Sequence, residues 1–312
     1  MVATQSNFKP SDICALTCVF NPLQYESRIR NFRLFHDAIA EALPVYIIEC
    51  VFGDVDFALS HLPNHIGVRS ESVLWQKERL INHALCHHVS HYAKVAWLDA
   101  DILFTNPDWV RQTSEMLETY RVVQLFEEAY RLPQGATKYD GRGDRWPSFG
   151  ATFAEDPSCF DAGKFTPHGH TGFGWAARRD VLMDHGLYDA CLSGSADHVM
   201  VHAMCGRTES RCIDVNLGRS SPLRTHFEQW AQRMYAAVDA RVAAVPGSIL
   251  HLWHGEIAER KYNLRCQELL ELGFDPASDI VVDDRGCWTW KSDRPDLHAW
   301  GERYFSSRKE DG

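Results

Sequence analysis

The stretch Lys94–Asn106, KVAWLDADILFTN, sets Asp99 and Asp101 one residue apart at the end of an apolar run. Along an extended backbone residues i and i+2 point the same way, so both carboxylates can face one point. Left bare they repel. A hard divalent cation, Mn2+ or Mg2+, resolves the repulsion by taking oxygens from both and from a phosphate. The plainer alternative is that one of the pair caps the chain that follows. Two other segments extend the pattern. SILHLWHGEIAERKY presents His251 and His254 at the end of an apolar strand, followed by Gly255 and Lys261. A neutral imidazole can complete a metal sphere, and a lysine a few residues on can meet phosphate charge. WQKERLINHAL sets Arg79 and Asn82 three apart on one helix face, with donors for a nucleotide or for the aspartate loop.

The elements that must position these residues follow from periodicity. ICALTCV (13–19), PVYIIEC (44–50), HIGVRS (65–70), KVAWL (94–98) and VVQLF (122–126) read as strands. Between them, 25–42, 72–92 and 107–120 carry helical spacing, the last with Asn106 as its expected cap. Strands alternating with helices imply an α/β fold with a mostly parallel sheet flanked by helices. In such a sheet ligands sit at the carboxyl ends of the strands, where Asp99 and Asp101 fall. Residues 133–170 are rich in Gly, Pro and Asp with little periodicity, as a surface loop or active-site lid would be. Regular structure resumes with strand into helix at TGFGWAARRDVLMDHG, a helix at 196–204, a helix at 224–241, a strand at 248–253 and a helix at 260–273 ended by Gly273. We expect one domain over 1–273 and a C-terminal extension over 274–312, whose Trp288, Trp290, Trp300, Tyr304 and Phe305 argue that it packs on the body.

With 312 residues, 45% of them hydrophobic, the chain can bury a sizeable core. The formal charge of −10 gives no broad footprint for a polyanion. The first residues lack the basic-then-apolar layout of a secretory signal, and no apolar stretch approaches the roughly 18 residues a membrane helix needs. The ten cysteines include no CxxC pair, and Cys14, Cys18 and Cys50 lie in strand-like runs, so buried thiols and a cytoplasmic protein are expected.

The acidic pair after KVAWL, the Arg-x-x-Asn helix before it, the late His-x-x-x-Gly segment and GHTGFGW followed by an acidic helix start resemble the GT-A fold glycosyltransferases, over roughly residues 13–261. The resemblance implies a Rossmann-type sheet, a nucleotide-sugar donor that tilts toward a UDP-sugar, and a metal cofactor. It maps His251, Gly255 and Lys261 onto metal and diphosphate contacts, with His254 beside them. It places Arg79 and Asn82 on the nucleotide site, Thr17, Phe20 and Asn21 near the base, and Arg28 as a diphosphate partner. Thr171, Gly172 and Trp175 resemble the sugar-contacting turn, where an aromatic face stacks on a pyranose. SADH (195–198) stands where those enzymes place an acidic residue beside the sugar, but the expected acidic pair is replaced by Asp197 and His198. A transferase needs a group to take the acceptor hydroxyl's proton, and Asp197 at a helix start can serve. Alternatively His198 is the base, or Asp197 caps the helix and binds a sugar hydroxyl.

The expected function is therefore metal-dependent transfer of a sugar from a nucleoside diphosphate sugar to an acceptor, with glycan, lipid, protein, metabolite and modified nucleic-acid base all open. One rival is a metal-dependent nucleotidyltransferase, which the FNPLQY after the first strand disfavours because it is no Gly-rich phosphate loop. Another is a protein that binds a nucleotide sugar without reacting it. His83, His87 and His91 on one helical stripe read as a packed or solvated face, Asp283 and Asp284 as a turn, and Arg142-Gly143-Asp144 as a chance tripeptide.

Overall fold

The computed structural model describes residues 12–160, 168–256 and 262–312. In chain order the elements are β1 (Ile13–Phe20), α1 (Glu26–Ile39), β2 (Val45–Phe52), β3 (His65–Ser70), α2 (Lys77–His87), β4 (Lys94–Leu98), β5 (Ile102–Phe104), α3 (Trp109–Met116), β6 (Val122–Gln124), β7 (Glu128–Arg131), β8 (Arg145–Pro147) and α4 (Phe149–Glu155). There follow β9 (Gly174–Arg178), α5 (Arg179–Met183), α6 (Ala196–Met204), α7 (Arg211–Leu217), α8 (Pro222–Val238), β10 (Val242–Ala244), β11 (Ser248–His251), α9 (Tyr262–Glu271), α10 (Pro276–Asp279), β12 (Ile280–Val282), β13 (Trp288–Trp290) and α11 (Pro295–Ser306).

The main sheet has seven strands in the order β10-β6-β9-β4-β1-β2-β3. The pairs β2–β3, β1–β2, β1–β4 and β6–β10 are parallel, and β9 runs antiparallel to both β4 and β6. The mostly parallel α/β sheet expected from the sequence is thus what forms. β1, β2 and β4 are near-continuous apolar runs because helices cover both faces of the sheet. One face packs against α2, α6, α8 and α11, and the other against α1 and α3. Strand order reverses between β1 and β4, so a crevice opens at their carboxyl ends, beside Phe20 and Leu98.

A second sheet, β5-β11-β7-β8, stands at that crevice. Its β5–β11 ladder pairs His251 with Ile102, and Leu252 N–H donates to the Asp101 carbonyl at 2.8 Å. That register brings a residue 150 positions downstream against the acidic pair.

Three expectations change. The helix expected over 72–92 starts at Lys77, because the chain before it is held extended against the C-terminal hairpin. There Gln76 donates to the Trp288 carbonyl (2.7 Å) and accepts from its N–H (2.9 Å), and Ser72 meets Thr289. Asn106 does not cap α3; its carboxamide oxygen accepts from Asp108 N–H in a local turn, and the helix begins at Trp109. Residues 133–170 are not a featureless loop. They hold β8 and the short helix α4, capped by the Ser148 hydroxyl, with Phe149 in the core and Gly150 so close to the Ala243 carbonyl that a Cβ would lie 2.6 Å from it. Phe274, Leu297 and Trp300 lie in the same core cluster as residues of the sheet.

Candidate active site

A cavity of about 580 Å³ fills the crevice, lined by Phe20, Trp75, Lys77, Asp99, Asp101, His170, Thr171, Gly172, Asp197, His198, His251 and His254, with Arg28, Arg131, Arg265 and Arg308 on its walls. Two charged groups share it.

In the first, Asp101 converges with both histidines. Its carboxylate oxygens stand 3.1 Å from His254 Nε2 and 3.7 Å from His251 Nε2, and the two imidazole nitrogens are 3.0 Å apart. One ligand atom from each residue lies within 4.8 Å of the others, and the histidines are buried. A carboxylate and two imidazoles converging from one side form a set that a divalent ion fits, leaving other positions for phosphate oxygens and water.

Lys77 centres the second. Its ammonium stands 2.7 Å from Asp99 Oδ1 and 3.1 Å from Asp197 Oδ2. Burial by itself would lower this lysine, but Asp197, Asp99 and Glu78 outweigh it and hold the ammonium well above its ordinary range. Burial pushes the Asp197 carboxyl up; Lys77 opposes the rise and Asp99 adds to it. Glu78, buried behind Lys77 and bonded to Trp75 Nε1 at 2.8 Å, is raised by burial to about 7. The acidic pair therefore divides its work: Asp101 faces the histidines, whereas Asp99 faces Lys77 and accepts from Phe173 N–H at 3.2 Å.

Two backbone outliers border the cavity. Phe173 sits at φ 81° and Ser195, just before Asp197, at φ 70°. A non-glycine residue there is strained and persists only when its surroundings fix it. The Phe173 ring stacks on His170 at 4.0 Å with nearly parallel planes, and the Ser195 hydroxyl accepts from Arg265 at 3.2 Å.

Other residues expected at the site lie elsewhere or act differently. Arg79 and Asn82 turn away from the cavity. Arg79 pairs with Asp189 at 3.0 Å, and Asn82 donates to the Leu187 carbonyl and Asp189. Lys77, two positions earlier and so roughly 200° round the helix, is the residue of α2 that faces the ligand space. Trp175 offers no face to a sugar. It is 2% exposed within β9, and its Nε1 donates to the Thr171 carbonyl at 2.8 Å, holding the turn that carries Thr171 and Gly172. Thr17 is fully buried, with its hydroxyl bonded to the Leu98 carbonyl. Asn21 spends its carboxamide on the backbone of Tyr25 at the start of α1. Gly172 and Phe20 do line the cavity, and a Cβ on Gly172 would lie 3.6 Å from Asp197 Oδ2. Gly255, at φ 92°, lies so close to the tail that a Cβ would come within 2.9 Å of the Lys309 carbonyl oxygen. Lys261 lies outside the described residues.

The acidic residues of the tail carry no local sequence signal for their partners. Glu310, 1% exposed, pairs with Arg28 and Arg308, and Asp311 accepts from Glu26 and Ser27 N–H at the start of α1. Burial alone would raise Glu310, but Arg28 and Arg308 bring its carboxyl down to about 2. Arg28, expected to grip diphosphate, is thus already paired with a carboxylate. A second cavity, of about 870 Å³, adjoins the first through Val19 and Asn31 and is lined by Asn21, Tyr25, Glu49, Phe52 and Asp56.

No family model matches the chain, and no curated protein matches it. Among solved structures the chain has distant likenesses. The mannosyltransferase PcManGT of Pyrobaculum calidifontis, in complex with GDP-Man and Mn2+, is 12% identical, with 98% of this chain and 73% of that chain covered and a TM-score of 0.44. Glucosyl-3-phosphoglycerate synthase of Mycobacterium tuberculosis, with Mn2+, UDP and phosphoglyceric acid, is 13% identical over 93% and 91% (TM-score 0.39). Drosophila beta-1,4-galactosyltransferase 7, with manganese, UDP-Gal and xylobiose, is 10% identical over 93% and 98% (TM-score 0.40). At such scores and identities these are likenesses only. None of its helices, among the described residues, is long and apolar enough to cross a membrane.

Proposed function

We propose that this protein is a metal-dependent glycosyltransferase that moves a sugar from a nucleoside diphosphate sugar, a UDP-sugar by the resemblance of its motifs, to an acceptor hydroxyl. The observation that carries the proposal is the convergence of Asp101, His251 and His254 beside a Lys77-bridged carboxylate pair, at the sheet's switch point. Asp101, His251 and His254 would hold the cation, and the two imidazoles favour Mn2+ over Mg2+. When bound, the cation neutralises the leaving diphosphate.

The chain's own residues do the rest. Lys77 stands between Asp99 and Asp197 and sets one cation against both carboxylates. Asp197, across from Gly172, takes the acceptor proton at a carboxylate oxygen as the bond to the sugar forms. Arg308 and Arg265 supply cationic walls. The adjoining cavity, lined by Tyr25, Phe52 and Asp56, has the room for a nucleobase.

Incubating the protein with a panel of nucleotide sugars and Mn2+ tests this directly. Release of nucleoside diphosphate with sugar transfer or hydrolysis supports it, and Asp101→Asn should lower that rate by about 10³-fold or more, since a metal's charge stabilisation is worth several kcal/mol. Pyrophosphate release from a nucleoside triphosphate, or tight donor binding without turnover, would overturn it in favour of a nucleotidyltransferase or a binding protein.

A further inference from the structure

Behind the cavity wall lies a second constellation with different chemistry. His168 precedes the 169–172 turn, His198 and His202 sit one helical turn apart on α6, and Cys212 lies in α7. All four are buried, and one ligand atom from each lies within 4.8 Å of all the others. The i, i+4 spacing puts both α6 histidines on one helix face, toward His168 and Cys212.

The outer nitrogens are already committed. His168 Nδ1 lies 3.1 Å from the Gly169 carbonyl and His202 Nδ1 2.9 Å from the Arg207 carbonyl. A proton on each Nδ1 donates outward and leaves the Nε2 lone pair facing inward. His202 Nε2 is buried with no hydrogen-bond partner, and His168 Nε2 stands 3.8 Å from Cys212 Sγ. A stacked aromatic cluster would account for burial but not for an imidazole nitrogen set beside a thiol and another left without a partner, since a buried acceptor with no partner is costly. Four protein donors, all of them buried, describe a structural site that needs no solvent ligand. Tetrahedral bonds of roughly 2.0–2.3 Å put ligand atoms about 3.3–3.7 Å apart, so the cluster has only to contract slightly. Backbone carbonyls fixing the outer nitrogens are the usual support of metal-bound imidazoles.

We propose that His168, His198, His202 and Cys212 bind a structural Zn2+. Three imidazoles and a thiolate suit zinc far better than Mn2+ or Mg2+, which prefer oxygen. Binding releases the Cys212 proton to solvent and forms the Zn–S bond in its place. The ion ties the 168–172 turn to α6, and therefore His170, Thr171 and Gly172 to Asp197 across the sugar side of the cavity.

The test is metal analysis of the whole chain purified without chelator from zinc-supplemented medium. One zinc per chain is expected, retained in Asp101→Asn and lost in Cys212→Ala and His202→Ala. Replacement of zinc by Co2+ in the wild-type chain should give intense visible bands of tetrahedral cobalt and a thiolate-to-cobalt charge-transfer band, which needs no variant to fold. Trace zinc in the wild type together with an octahedral-type, weak cobalt spectrum would overturn the proposal. So would zinc that is lost in Asp101→Asn but kept in Cys212→Ala.

Discussion

Two histidine clusters stand on either side of one cavity wall, and they differ in every property that decides how an ion is held. Asp101, His251 and His254 open onto the cavity, offer one oxygen and two nitrogens, and leave room for a substrate to complete the shell. His168, His198, His202 and Cys212 are buried and offer three nitrogens and a sulfur, four protein donors in themselves. The same imidazole group thus serves two ends. Exposure and partner chemistry, not residue type, separate an ion that meets phosphate from one that holds the wall behind it.

The sharpest way to break this contrast is brief chelation. Exposure to EDTA followed by desalting should abolish transfer, with Mn2+ restoring it, while zinc measured in the same sample stays bound; simultaneous loss of both metals would erase the distinction. Next in size is Asp197→Asn, which should cut kcat by about 10²–10⁴-fold, the usual worth of a positioned base, with donor KM little changed. In the wild type the same base sets a pH limb. Burial raises Asp197, so kcat/KM should begin to fall on acidification above the ordinary aspartate value of 3.8, and a flat profile over that range would dismiss Asp197 as base. Smallest is the tail. Glu310 is held down from 4.5 to about 2 in the folded chain, so its contribution, on the order of 3 kcal/mol, is present in full above pH 4.5 and lost as pH falls toward 2. Glu310→Gln should lower urea stability at neutral pH and lose less of it on acidification; equal pH dependence in both proteins would reject the assignment.

The parts legible in the sequence were those written in local pattern. The runs ICALTCVF, VYIIECVF and KVAWL are apolar because a parallel sheet is covered on both faces, and they gave the strands and the place of Asp99 and Asp101. His251 and His254 were readable from their position at a strand end. What failed depended on which way a side chain turned. Arg79 and Asn82 do share a face of α2, but it is the face that packs on Asp189, and nothing in their spacing tells it from the face of Lys77. Trp175 reads as a platform and is core, because strand alternation gives two faces without saying which is covered. The His168, His198, His202 and Cys212 cluster joins three separate segments, so no motif announces it; the pair His198 and His202, an i, i+4 repeat on an apolar helix, was its one local trace. Glu310 was hidden for the same reason, since its partner lies 282 residues earlier.

That span has a consequence for how the molecule comes into being. The opening of α1 carries no side-chain cap of its own, and its first backbone donors are met by Asp311, while Arg28, next along the chain, pairs with Glu310. The start of α1 therefore lacks these partners until residues 308–311 have been made. A polypeptide stopped before Arg308 would leave Arg28 without Glu310 and the start of α1 without Asp311, so production of competent molecules should register whether translation ran on past that point.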